Sequence, residues 1–519
     1  MKRRAIFVVI PTMVVLLLPL FYYFSKNLTE EKIIVDSLVL TIPTSIQNFH
    51  ADLKTEDIDK IEEYTLLNAL HSPLVLFDNN GQLEANLATR FYWKDDVTLA
   101  FHFDRDQRTV DGFKFDAEDA LYSIKRMILL DKNQHGRISD RIEIPDSFKH
   151  IDQVLENIYT ENGILFVRTK RKDPFILHIL ASADYGIIRR ESIDPNSLNI
   201  NDLRNTSGPY YLSHEDSSVA VLKANPSHFR LSKKNASEIR CLKFGTSADK
   251  YIDAFKSGKI DHIPTDSPLT KAMYVELGES TKANIHEARD ILIAYAAFSH
   301  KARNRFTPVE RFVISEAIQK VIHKNSKDIS RIAIPAVQFF PEEAVGGIPR
   351  ENLDSEKSRM RAEADRLNVR AENISITIEA FPSMISRVSH MFDGVFKKVD
   401  FVPNLPRLDL SATTADLVMT SVDVGLKEDF TGISFIVSKG LFPLDENSGR
   451  KWLEKMSFEL NVQARMTMIE EMHVKAIVKD PSVIPMYRLP VFALAQHGWK
   501  MDLPKLWVTQ RYWQIYKDI

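Results

Sequence analysis

A nucleophile, a general base or a metal site needs several reactive side chains at fixed spacing, and the spacing in this 519-residue chain works against all three. His286-Glu287 and His214-Glu215 lack the second histidine four positions on that an HExxH zinc site requires, so both pairs read as ordinary surface residues. Asp104-Arg105-Asp106 opens like a calcium loop, but no glycine stands at the sixth position and no glutamate at the twelfth, which leaves a solvated turn. Asp95 and Asp96 are adjacent, and neighbours on a regular element point in different directions. No G-x-S-x-G elbow, Walker A loop or GxGxxG fingerprint occurs. The lone Cys241 excludes an intramolecular disulfide and a thiolate metal cluster. What remains is recognition without catalytic residues, metal or cofactor.

The elements that would position a binding surface are legible from periodicity. Val97, Leu99, Phe101 and Phe103 alternate on one strand face, as do Ile374, Ile376 and Ile378. Ile33 to Ile42 and Ile291 to Phe298 are more continuously apolar, as strands covered on both sides are. Asp116 is a good N-cap for a helix through Met127. Thr307-Pro308-Val309-Glu310 combines an N-cap hydroxyl, proline at the first helical position and a capping-box glutamate, and predicts a helix burying Phe312, Val313, Ala317, Val321 and Ile322. Further helices are expected from Asp354 and over Val462 to Ile477. Strands and helices mixed along the whole chain indicate an α/β architecture.

Composition narrows the setting. Lys+Arg 68 against Asp+Glu 70 gives a net charge of -2, which disfavours a nucleic-acid partner. A hydrophobic fraction of 44% with 27% charged residues is that of a folded, non-polytopic protein. The exception is the start. Lys2, Arg3 and Arg4 precede the uncharged stretch Ala5 to Phe24, about 30 Å long as a helix and enough to cross a bilayer core. Its length and the Phe21-Tyr22-Tyr23-Phe24 exit favour an uncleaved anchor over a removed signal peptide, with the remaining chain across the membrane. No cysteine lies nearby, so it is not a lipoprotein.

Residues 66 to 130 carry a run of family-like motifs. Leu66 to Asp78, Leu87-Ala88 and the strand at Val97 to Phe103 lead into a D-G turn and capped helix that match D-G-x-x-(F/V)-T-A-x-D-V-x-Y-S at Asp111, Gly112, Phe115, Ala117, Asp119, Tyr122 and Ser123. Thr206-Ser207-Gly208-Pro209-Tyr210, Val221 to Pro226, Phe255 to Asp261 and Pro481 to Tyr487 follow in the same order. Together they resemble the extracellular solute-binding protein family 5, the peptide- and nickel-binding proteins of bacterial ABC importers. The resemblance implies a two-lobed periplasmic binding protein fold of type II with an extra domain, closing on a ligand between the lobes. It implies a first lobe built from 33–80, 195–270 and 481–519, an extra α/β domain at 81–194 and a second lobe at 271–480, after a signal peptide or anchor at 1–32.

The ligand region departs from the family. Peptide-binding members carry an arginine and a W-x-x-D-Y stretch after a short strand, the aspartate pairing with the peptide amine. Here the strand from Asp416 leads through Ser421 to Phe430 with neither tryptophan nor arginine. Asp423, Glu428 and Asp429 are the candidate amine anchors. The resemblance implies a periplasmic peptide binder, or another small-solute binder for a nickel chelate, haem or oligosaccharide. Its partner is an inner-membrane ABC permease, and the protein is a monomer. A tethered envelope sensor with a degenerate cleft is the reading from another class.

Overall fold

The structure is a computed structural model that describes residues 38–49, 61–131, 137–265, 267–326, 333–340, 347–403, 409–423, 430–503 and 510–518. The stretch Ala5 to Phe24, Glu428 and Asp429 lie outside the described residues. Among those described, no helix is long and apolar enough to cross a membrane.

Three sheets carry the architecture. The first joins β1 (Val39–Thr44), β8 (Tyr210–Glu215), β9 (Val219–Ala224) and β10 (Glu238–Lys243) in the order β1-β10-β9-β8, with β1 parallel to β10 and the other pairs antiparallel. Alternation makes one face apolar: Leu40, Ile42, Tyr210, Leu212, Ala220, Leu222, Ile239 and Cys241 share one core. The hairpin β2 (Val75–Phe77) and β3 (Leu83–Ala85) leads to a second, antiparallel sheet of β4 (Arg90–Trp93), β5 (Thr98–His102), β6 (Ile158–Glu161) and β7 (Ile164–Arg168), ordered β4-β5-β7-β6. Leu99, Phe101, Leu165 and Val167 face the helix Ala117–Leu130 through Ala120, Ile124 and Met127.

The third sheet has seven strands: β11 (His262–Ile263), β12 (Asn284–Phe298), β13 (Ile334–Pro335), β14 (Ser375–Ala380), β15 (Lys398–Pro403), β16 (Leu417–Asp423) and β17 (Val483–Ala495). Its order is β11-β17-β12-β16-β14-β15, with β13 on β17. β14 is parallel to both β15 and β16, and the rest is antiparallel. A small pair, β18 (Trp499–Met501) with β19 (Ile515–Lys517), closes the C-terminus.

Local signals set the helices. Asp116 caps Ala117–Leu130, its carboxylate accepting from the amides of Glu118 and Asp119 while Asp119 reaches back to the Asp116 amide. Thr307 and Glu310 form the expected box on Pro308–Lys324; such caps contribute about 1 kcal/mol each. The buried face of that helix differs from the apolar reading. Arg311, Phe312, Ile314, Ser315, Ile318, Gln319 and Ile322 point inward, whereas Val313, Ala317 and Val321 are only half-buried. The later helices also shift. One spans Arg350–Arg366, and the other ends as α-helix at Val474 before a π-turn, Lys475–Lys479.

Candidate functional site

In α/β proteins ligands gather where parallel strands end, as β1 does beside β10, and the long antiparallel strands β12 and β17 supply a second feature. The chain leaving β1 is clamped by buried carboxylates. Glu62, in the first turn of the helix Ile61–Leu70, accepts from the Thr44 hydroxyl, the Ser45 amide at 2.9 Å and the Ser45 hydroxyl at 2.6 Å. Glu215 accepts from the Phe49 amide at 2.7 Å and pairs with Lys243 at 2.5 Å. Lys243 also donates to the carbonyls of Gln47 and Asp216 at 2.8 Å each, so its three ammonium hydrogens have three acceptors.

Asp261 ties this sheet to the third. Its amide donates to Thr41 O at 2.7 Å, its carboxylate accepts from Thr41 N at 2.8 Å, and its carbonyl accepts from Gln496 N at 2.8 Å. β11 starts at the next residue and pairs with β17, so β1 is fastened beside the long strands.

Those strands, β12 and β17, join two cores. Ala493 and Ala495 belong to the core of the first sheet, while Ile484, Met486 and Tyr487 pack with Ala294, Ala296 and Phe298 in a different one. Between them the register breaks twice, from Ala288–Val491 to Leu292–Leu489 and from Ala294–Tyr487 to Tyr295–Pro485. Proline has no N–H for the ladder, and Pro490 and Pro485 lie at these two irregularities. β11 runs antiparallel to β17, from Ala495 toward Pro490, and β16 runs antiparallel to β12, from Phe298 to Leu292. β11 ends opposite Leu494, in a further core with Phe492, and β16 ends opposite Leu292, the first pair after the break beside Pro490.

Asp423 is the last residue of β16, its backbone opposite Leu292, the first pair after the break. Its backbone thus stands at the joint, while Glu428 and Asp429 fall in the undescribed stretch before the helix Phe430–Ser438.

The motif residues have packing roles. Asp111 accepts from Arg204 at 3.1 Å and from Asn205 Nδ2 at 3.0 Å, linking the turn before the helix to the segment before β8. Gly112 has φ +90°, in the left-handed region. Ala117 is buried. Asp119 also accepts from Arg190 N at 3.0 Å, and burial raises its carboxyl to about 6. Tyr122 donates to Asp152 at 3.0 Å, and Ser123 bonds both the amide and the carbonyl of Ile188. A Cβ on Gly208 would lie 2.3 Å from Ala69 O, so no side chain fits there. Tyr210 is fully buried in the first core.

Two surface expectations fare differently. Asp104 and Asp106 are exposed and pair with Arg90 and Arg108, as a solvated turn requires. His286 is half-buried in β12, and burial lowers its imidazole below the usual range. The sequence reading also passed over Glu62 and Lys243, and it took Glu215 for a surface residue although its side chain is buried against Lys243, because each acts through partners far away in the chain. Asp261 stood in a recognised motif, and an acid directly after the buried Ile260 was the available signal. Among the described residues no group of three or more His, Cys, Asp or Glu could hold a metal.

No protein-family model and no curated protein matches the sequence. Solved structures do match over nearly the whole length. The Escherichia coli murein tripeptide-binding protein MppA is 15% identical with a TM-score of 0.68, covering 93% of this chain and 99% of that one. NikA from Brucella suis, in complex with Fe(III)-EDTA, is 13% identical with a TM-score of 0.74, covering 92% and 100%. Haemophilus influenzae OppA, in complex with the peptide RPPGFSPFR, is 13% identical with a TM-score of 0.67, covering 95% and 100%. The chain has the fold of these solute-binding proteins.

Proposed function

We propose that this protein is the periplasmic substrate-binding component of an ABC-type importer, which binds peptides between two lobes that close on the ligand. The observation that carries the reading is the pair of long strands β12 and β17 that passes from one core to another through two register breaks, within a fold shared with MppA and OppA. On this reading the first lobe comprises 33–80, 195–270 and 481–519, the extra domain 81–194 and the second lobe 271–480, with Ala5 to Phe24 as export segment and tether. The protein acts as a monomer and hands its solute to an inner-membrane permease. Asp423, Glu428 and Asp429 are the candidate partners of a peptide amine; a buried ammonium needs an anion, and strand-like backbone pairing would hold the amides.

Thermal-shift titration with peptide pools tests the proposal. Saturable stabilisation is expected, and a shift of about 3 kcal/mol in apparent stability corresponds to a ligand at roughly a hundred times its Kd. No stabilisation by any peptide removes the peptide assignment. A second reading keeps the fold and changes the ligand to a metal chelate. Its support is the likeness to two NikA structures, one with Fe(III)-EDTA and one with Ni(L-His)2, together with the missing tryptophan and arginine. Native mass spectrometry separates the two by whether the co-purified mass is a peptide.

A further inference from the structure

One end of the first sheet gathers lysines where β1 begins. Leu38 O accepts from the Ser237 amide at 2.9 Å, which fixes the start of β1 beside the loop Ser232 to Ser237. That loop exposes Lys233 and Lys234. Lys234 O accepts from Lys517 N at 2.9 Å and Asn235 bridges Tyr516, so the β18–β19 pair lies against the loop. Lys500, exposed, stands opposite Tyr516 and pairs with Asp518, and the Lys517 ammonium lies 5.5 Å from the Trp499 ring. The hydrogen bond from Lys500, with Lys234 adding its charge, holds the Asp518 carboxyl below the usual range. Tyr516 and Trp513 are half-buried at the same end, Trp513 O accepting from Asn235 Nδ2 at 2.7 Å. Four lysines therefore share this end with the exposed aspartates Asp502 and Asp518.

We propose that this end of the first sheet is a membrane-docking surface, on which Lys233, Lys234, Lys500 and Lys517 meet the phosphates of anionic lipid headgroups. The inference rests on the reading of Ala5 to Phe24 as a tether. Thirteen residues, Ser25 to Ser37, separate that stretch from Leu38, and fully extended they reach about 45 Å. The lysine loop adjoins Leu38, so the tether keeps this end of the protein near the bilayer at high effective concentration. That proximity matters, because a small excess of lysines over aspartates binds a free bilayer only weakly. The attraction acts over about 8 Å at physiological ionic strength, so it favours contact once the tether has brought the surface close. Trp513 and Tyr516 are rings of the kind that settle at headgroup level. Docking would fix which end of the first lobe faces the bilayer.

Energy transfer from the full-length protein to lipid tests this. Cys241 is buried, so a donor dye can be directed to His497→Cys, at an exposed turn just before β18. The labelled protein is reconstituted in nanodiscs of phosphatidylcholine alone, or of an equal mixture with phosphatidylglycerol, each containing acceptor-labelled lipid. Transfer should roughly double in the anionic discs and return to the phosphatidylcholine level in about 0.5 M NaCl. The double variant Lys233→Glu with Lys234→Glu should abolish the rise. Equal transfer in the two discs overturns the docking surface, as does a rise that the double variant leaves intact. Flotation with phosphatidylcholine vesicles judges the tether by itself. A chain that does not float removes the tether and this proposal with it, whereas one that floats without the rise in transfer removes the docking surface alone.

Discussion

Individual buried groups carry opposite pH signatures. His262 is fully buried between Leu494 O at 2.7 Å and Gln510 Oε1 at 3.1 Å, and burial lowers it to about 4; His71, likewise buried, is lowered to about 3. As pH falls below about 6.5 the unfolded chain takes up protons that these native histidines refuse, so stability declines from there toward pH 4. His262→Gln should remove roughly 1 kcal/mol per pH unit of that slope, read from urea unfolding at pH 7, 6 and 5; an unchanged slope contradicts the burial argument. Asp119 works the other way. Raised to about 6, it holds a proton between about pH 4 and 6 that the unfolded state has released, so its contribution falls as pH rises through that window. Asp119→Asn should flatten that fall. At Gly208 the effect is steric: Gly208→Ala must displace the Ala69 and Leu70 backbone and should cost about 3 kcal/mol or more, seen as a Tm loss or failure to accumulate.

At the scale of elements, the clamp on β1 and the joint in β17 make separate claims. Glu62→Gln keeps size but replaces an acceptor of three donors with a half-donor, and should cost about 1–3 kcal/mol while loosening the Thr44–Phe49 segment to hydrogen exchange. Protection of that segment equal to the parent's would show that Glu62 does not hold it. The strands were largely legible beforehand: Leu99, Phe101, Ile376 and Ile378 alternate in the chain and are buried in the structure. So were the N-cap at Asp116 and the capping box of Thr307 and Glu310, since capping is decided by residues three apart; the return bond from Asp119 to the Asp116 amide came only with the structure. The buried face of Pro308–Lys324 was not. Its inward stripe includes Arg311, which bonds Asp480, and Gln319, which donates to Pro485 O at 2.9 Å and accepts from Lys357. Polar residues with distant partners look like surface residues until the fold supplies those partners. The amine anchor stayed open for a related reason. Three acids lie within seven positions from the end of β16, Asp423 on the strand and Glu428 and Asp429 beyond it, and loop length alone does not choose among them.

For the whole molecule, β12 and β17 run through two cores, and the proposed closure would turn on them. On that proposal a ligand shifts the lobes only by its differential affinity for the closed state. Small-angle scattering of the full-length protein should therefore show compaction on adding a binding peptide; a radius of gyration unchanged by peptide would contradict closure. The central claim is that solute sits at the joint, between the clamped end of β1 and the end of β16. An experimental density map of the protein with its co-purified or added peptide tests this most directly. The account predicts ligand density against Thr44–Phe49 and Asp423, beside Pro490; ligand elsewhere, or a joint packed solid with protein side chains, would contradict it.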